Sequence, residues 1–161
     1  MSMETFTGSA LHTIDPKGRV FIPTHYRESL GVDFTIALNN DFRTIALYPN
    51  DIWRKKVQSY ACIPDADRRG RNVVRHFMGN AYTLCNLDSQ GRILIPQELR
   101  SMFDLTGARE IRFIGVGDYL EIWNPERYHG LMYEPDEIID RELDYVYETY
   151  FSKRNTTGVN V

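Results

Sequence analysis

Only two cysteines occur in the sequence, Cys62 and Cys85, far apart and without CxxC spacing. This excludes a disulfide-stapled scaffold and a zinc knuckle, and predicts two plain or partly buried thiols. The four histidines, His12, His25, His76 and His129, are scattered without metal-ligand spacing. Each reads as a surface or capping residue, and neither a metal nor another cofactor is expected. No stretch approaches the ~18 apolar residues of a membrane span, and the opening MSMETFTGSALHT does not pass from a basic start into an apolar run as an export signal does. A cytoplasmic protein with no membrane partner is expected. A basic excess is also missing. The formal charge is −3, which alone speaks against nonspecific nucleic-acid binding, because such binding rests on Lys and Arg meeting phosphates.

What charge there is, however, is segregated. Glu134, Asp136, Glu137, Asp140, Glu142, Asp144 and Glu148 face a single base, Arg141, so this stretch carries −6 and the rest of the chain +3. The composition is otherwise that of an ordinary globular protein, with 42% hydrophobic and 25% charged residues in a chain of 161.

The informative feature is an internal repeat. TIDPKGRVFIPTHYRESL (13–30) aligns with NLDSQGRILIPQELRSMF (86–103) at an offset of 73, with identities at Asp15/Asp88, Gly18/Gly91, Arg19/Arg92, Ile22/Ile95, Pro23/Pro96 and Arg27/Arg100. TIALYPNDIW (44–53) then matches YLEIWNPERY (119–128) at an offset of 75. Each copy has the same grammar. A short strand enters a D-x-x-G-R turn, a branched run (RVFIP or RILIP) forms a second strand buried on at least one face, and proline opens a short helix at its first position. Gly31 caps the first such helix. A β-hairpin follows, FTIAL to TIALY in one copy and EIRFIGV to YLEIW in the other, and then a further helix. Val73, Val74, Phe77 and Met78 predict an amphipathic linker helix within 65–81. The expected organisation is mixed α+β and β-rich: repeat 1 over 9–53, linker helix over 54–81, repeat 2 over 82–125, and a helical acidic extension with a polar tail over 126–161. One β-β-α-β-β unit is too small to hold a core alone, so the two are expected to pair about a pseudo-twofold axis into a shared barrel-like core.

In D-x-x-G-R the Asp can bond its own turn, Gly can take positive φ and Arg can pair with Asp, so the turn has a purely structural reading. Its variable positions, however, show Lys17 beside Arg19 and Gln90 beside Arg92, side chains suited to phosphates and base edges. Asp15, Gly18, Asp88 and Gly91 read as turn-shaping residues, and Arg27 and Arg100 as structural pairs near Asp.

HTIDPKGRVFIPTHYRESLG and CNLDSQGRILIPQELRSMF, with RNVVRHFMGNA between and FIGVGDYLEIWNPERY after, resemble the MraZ family of bacterial regulators with tandem SpoVT/AbrB-type repeats. The resemblance implies a swapped-hairpin barrel, a ring-shaped homo-oligomer and nucleoid association. It also implies binding of double-stranded DNA through Lys17, Arg19, Gln90 and Arg92, at repeated boxes in the promoter of the chain's own division and cell-wall gene cluster, as a repressor. The second turn departs from the family's usual Lys-Gly-Arg by carrying Gln90.

Two other classes are weighed. An antitoxin-like protein-binding module would use the C-terminal region as a tail that folds on its partner. An aspartic-type hydrolase would need Asp15 and Asp88 to face each other as a dyad, but each has an Arg four residues on and no D-T/S-G triplet is present. GVGD (115–118) has too few glycines for a dinucleotide fingerprint and fits a hairpin turn. No small-molecule substrate and no catalytic residue are therefore expected. Arg68, Arg69, Arg71 and Arg75, the densest basic run, read as a solvated helix face.

Overall fold

The computed structural model describes residues 5–132 and 136–152. Residues up to Pro125 form one compact unit and residues from Glu126 a second. The polar tail 153–161, where an antitoxin-like module would place its folding segment, and Glu134 of the acidic stretch lie outside the described residues.

In the first unit, repeat 1 supplies β1 (Ser9–Thr13), β2 (Arg19–Phe21), α1 (Thr24–Leu30), β3 (Phe34–Leu38) and β4 (Ile45–Pro49). Helices α2 (Asn50–Tyr60) and α3 (Arg68–Gly79) follow. Repeat 2 supplies β5 (Tyr82–Cys85), β6 (Arg92–Leu94), α4 (Gln97–Met102), β7 (Glu110–Gly115) and β8 (Leu120–Trp123). The hairpins β3–β4 and β7–β8 form within their repeats, but each lead strand crosses over. β1 pairs antiparallel with β7, and β5 with β3. β4 pairs with β8, from Ile45↔Ile122 to Leu47↔Leu120. The resulting six-stranded order, β1-β7-β8-β4-β3-β5, reads as its own reverse when the repeats exchange labels. β2 and β6 form a separate antiparallel ribbon centred on the equivalent residues Val20 and Ile93.

The strands follow from their sequences. FTIAL and IALYP are buried at every position, as expected of short apolar runs at the centre of a core. Phe77 of α3 is fully buried among Trp53, Tyr60 and Phe42, with ring centroids 5.4, 4.9 and 5.9 Å away. Phe77 and Val74 are the buried face of the expected linker helix, and Asp67 caps it by accepting the Gly70 N–H at 2.9 Å. One expectation is corrected. Pro23 and Pro96 occupy the N-cap, with extended ψ of 136° and 138°, one residue before the first helical position. Their carbonyls already accept helical N–H groups, from Tyr26 at 2.9 Å and Arg100 at 3.0 Å, so the ring closes the strand and opens the helix without losing a needed donor. Gly31 ends α1 at φ 83°, its N–H donating to Arg27 O.

A hydrogen-bonded trio lies deep in this unit. Asn39 Nδ2 donates to Glu121 Oε2 at 2.6 Å and Trp123 Nε1 to Glu121 Oε1 at 3.0 Å, while Asn39 Oδ1 accepts the Arg43 and Thr44 N–H groups.

The second unit comprises most of α5 (Pro125–Met132), then α6 (Asp136–Val146) and a π-helical turn, Tyr147–Phe151. Ile139, Leu143, Tyr145, Tyr147, Tyr150 and Phe151 are exposed on it. Among the described residues no helix is long and apolar enough to cross a membrane, and no cluster of His, Cys, Asp and Glu could hold a metal ion.

Candidate nucleic-acid interface

The two D-x-x-G-R turns are built by the same bonds. Asp15 Oδ1 accepts the N–H groups of Lys17 (3.0 Å) and Arg19 (2.8 Å), and Oδ2 accepts Arg19 Nε at 2.6 Å. Asp88 accepts the N–H groups of Gln90 and Arg92 and Arg92 Nε, each at 2.9 Å. The Gly18 and Gly91 N–H groups close the turns onto the Asp15 and Asp88 carbonyls at 2.9 and 3.0 Å. These glycines have φ of 89° and 79°, a region other residues enter only at a cost. Each carboxyl is held below its ordinary value, first by the Arg19 or Arg92 backbone N–H, then by the same arginine's side chain and the intervening N–H. A shared-proton dyad would raise one of the two instead. Asp15 and Asp88 spend their oxygens on their own turns, so the hydrolase expectation loses its dyad.

Arg27 and Arg100 also differ from expectation. Among the described residues their Nε groups donate to backbone carbonyls and not to carboxylates. Arg27 Nε donates to Ile22 O at 2.8 Å, and its guanidinium lies so close over Gly91 that a Cβ there would stand 2.5 Å from Cζ. Arg100 Nε donates to Ile95 O at 3.0 Å and covers Gly18 in the same way. The Ile22 N–H donates to Gly91 O (3.0 Å) and the Ile95 N–H to Gly18 O (2.9 Å). Each turn is thus clamped by the opposite repeat, and its glycine is required twice, once for φ and once for the guanidinium above it.

Clamping sets both turns on the β2–β6 ribbon. Val20 and Ile93 point into the core, so the alternating neighbours stand outside. Arg19 lies opposite Leu94, and Phe21 opposite Arg92, with Lys17 and Gln90 exposed on the turns that lead in. Asp anchors the Nε of each arginine and leaves the Nη face of its fork for another acceptor. The two arginines differ in surroundings. Arg19 is 37% exposed and Arg92 only 21%, because Phe21 sits under the Arg92 guanidinium, 5.7 Å from Cζ to the ring centroid. Phe21 and Leu94 went unmarked in the sequence. The signal was the alternation in R-V-F and R-I-L, which sends the third residue out with the first when the second is buried. Two arginines of the basic run on α3 have local partners, Arg71 Nε with Asp65 at 3.5 Å and Arg75 Nη1 with Asn72 Oδ1 at 2.9 Å.

The sequence matches the family described as "MraZ protein, putative antitoxin-like" over residues 5–75 and 77–141. Curated relatives under the name Transcriptional regulator MraZ include that of Lachnoclostridium phytofermentans, 37% identical over 87% of this chain and 96% of the relative. That of Moorella thermoacetica is 40% identical over 76% and 83%, and that of Carboxydothermus hydrogenoformans 33% identical over 88% and 99%. With the family matched along most of the chain and these relatives covered over most of their own length, the chain belongs to the MraZ family.

Proposed function

We propose that this chain is a transcriptional regulator that binds double-stranded DNA through its two D-x-x-G-R turns, with Lys17, Arg19 and Arg92 on phosphates or guanine edges and Gln90 as a base reader. Asp15, Gly18, Asp88 and Gly91 shape the turns. The observation that carries this reading is the clamping of two arginine-bearing turns, closed by the same hydrogen bonds, onto one antiparallel ribbon. A two-stranded ribbon fits the major groove, and an arginine whose Nε is already fixed loses little further freedom on binding. The relatives' name, Transcriptional regulator MraZ, supports the regulatory role.

Within this reading the chain folds as a swapped-hairpin barrel with a pseudo-twofold axis, an arrangement supported by the exchanged lead strands and the self-reversing strand order. The chain assembles as a ring, so that modest contacts per subunit are multiplied on DNA whose boxes repeat at the same spacing. That multiplication lets a chain of net charge −3 hold DNA. It acts on its own promoter as a repressor, in the cytoplasm at the nucleoid.

The test is titration of the purified protein against a labelled duplex from the region upstream of its own coding sequence. Arg19→Ala and Arg92→Ala should each cost about 1–3 kcal/mol, with thermal unfolding as the control for folding. Unchanged binding by the double variant would refute the assignment of the turns. Sedimentation of the free protein tests the ring, and a promoter–reporter fusion tests repression.

A further inference from the structure

The outer face of the β2–β6 ribbon holds two large apolar side chains that lie outside the core. Phe21 is 48% exposed and Leu94 59%, at equivalent positions of the two repeats. By register they occupy one diagonal of a four-residue patch whose other diagonal is Arg19 and Arg92. On an antiparallel ribbon the diagonal neighbours stand roughly 8 Å apart, a little over two steps of B-DNA at about 3.4 Å each. A bulky apolar side chain left in water forfeits its burial energy. Here that happens twice, at matching positions, each time beside a guanidinium.

We propose that Phe21 and Leu94 are specificity-determining residues that contact the 5-methyl groups of thymine in the major groove. This rests on the reading of the turns as DNA contacts. The chemistry is complementary: the forks of Arg19 and Arg92 suit the O6/N7 edge of guanine, while an apolar side chain suits the one apolar group on a major-groove edge, the thymine methyl. A patch of alternating cations and hydrophobes therefore matches alternating guanine and thymine. A phosphate-only surface would have no use for Phe or Leu at these places. A protein partner fits less well, since two apolar side chains set among Arg19, Arg92 and Lys17 are far short of the roughly 1,200 Å² of a stable interface. Phe21 has a second role, as its ring holds Arg92 from below.

The experiment compares the upstream duplex synthesised with thymine against the same duplex with deoxyuridine, which removes the methyl and leaves every hydrogen-bonding group in place. Wild-type protein should bind the uracil duplex more weakly, by about fourfold per contacted methyl, the equivalent of one buried CH₂. Phe21→Ala and Leu94→Ala should weaken binding to the thymine duplex and each lose part of the discrimination, and the double variant should bind both duplexes alike. Equal wild-type binding to both duplexes would overturn the inference. So would variants that keep the full wild-type discrimination, which would leave Phe21 only its role under Arg92. In either case a continuing loss on Arg19→Ala would show that the turns themselves still bind DNA. Failure of the wild type to bind the thymine duplex at all, or indifference to Arg19→Ala and Arg92→Ala, would overturn the underlying reading instead. Both side chains are half-exposed, so circular dichroism should show the variants folded.

Discussion

Lys17→Gln would give the first turn the side chain that the second carries at the equivalent exposed position, leaving Pro16 against Ser89 as the remaining difference. The backbones of the two turns are already the same: Asp15 accepts the N–H of residue 17 at 3.0 Å and Asp88 that of residue 90 at 2.9 Å, and the remaining bonds correspond one for one. Both positions are exposed, so the exchange changes charge without changing packing. If Lys17 neutralises a phosphate, its loss lowers the slope of log K against log salt by about 0.9 for every first turn engaged. Between 50 and 200 mM salt that slope corresponds to about 3.5-fold in affinity per contact. Gln90→Lys should raise the slope by the same amount, and the double exchange Lys17→Gln with Gln90→Lys should restore the wild-type value. Fluorescence anisotropy on the upstream duplex across a salt series reads all four proteins. An unchanged slope for Lys17→Gln, with Arg19→Ala still lowering it, would remove Lys17 from the contact. A response to Lys17→Gln but none to Gln90→Lys would refute the equivalence of the two turns on DNA.

Other outcomes follow from the same geometry. Gly91→Ala should destabilise by about 1–3 kcal/mol through the positive φ alone, and it also displaces the Arg27 guanidinium; a thermal melt unchanged from wild type would contradict the clamp. Glu121→Ala removes the carboxylate to which Asn39 and Trp123 donate and should cost about 1–3 kcal/mol of unfolding free energy in a denaturant titration, while binding of the folded fraction to DNA stays at wild-type strength. The lowered carboxyls of Asp15 and Asp88 set a pH dependence. Because their folded values lie below the ordinary 3.8, the turns' contribution is complete above that pH and is lost as pH falls through the folded values. Carboxyl titration by NMR should therefore show both groups more than half ionised at pH 3.8, and an Asp15 or Asp88 that is half protonated or more at that pH would refute the bonding.

The repeat made much of this architecture readable, because D-x-x-G-R is local chemistry: the Asp, its N–H donors and its Arg lie within five residues of one another. The hairpins were readable for the same reason, as FTIAL and EIRFIGV carry branched residues up to a turn. What the sequence could not convey was the partner across the repeat. Nothing near Arg27 points to Gly91, 64 positions away, and the pairing with Asp expected from composition gave way to a backbone carbonyl and a bare glycine. The Asn39–Glu121 bond spans 82 positions and hides for the same reason. Phe21 and Leu94 were legible in principle, since period-two alternation puts them outside once Val20 and Ile93 are inside. The reading of RVFIP and RILIP as buried on at least one face leaves open which residues stand on the other, and that is settled only when Val20 and Ile93 are seen to be inside.

The crossing of the lead strands has a consequence for how the chain is made. β1 begins at Ser9 and must find β7, which ends at Gly115, so repeat 1 leaves the ribosome with its own first strand unpaired and the β3 edge waiting for β5. At ordinary rates of synthesis, the roughly 100 residues between them take about 5–20 s to appear. The β3 edge stays open until β5 appears and β1 stays unpaired until β7 does, so folding is limited by late, distant contacts rather than by the fast local turns. A single repeat produced alone would keep those edges for good, and would find its missing strands only on a second copy of itself.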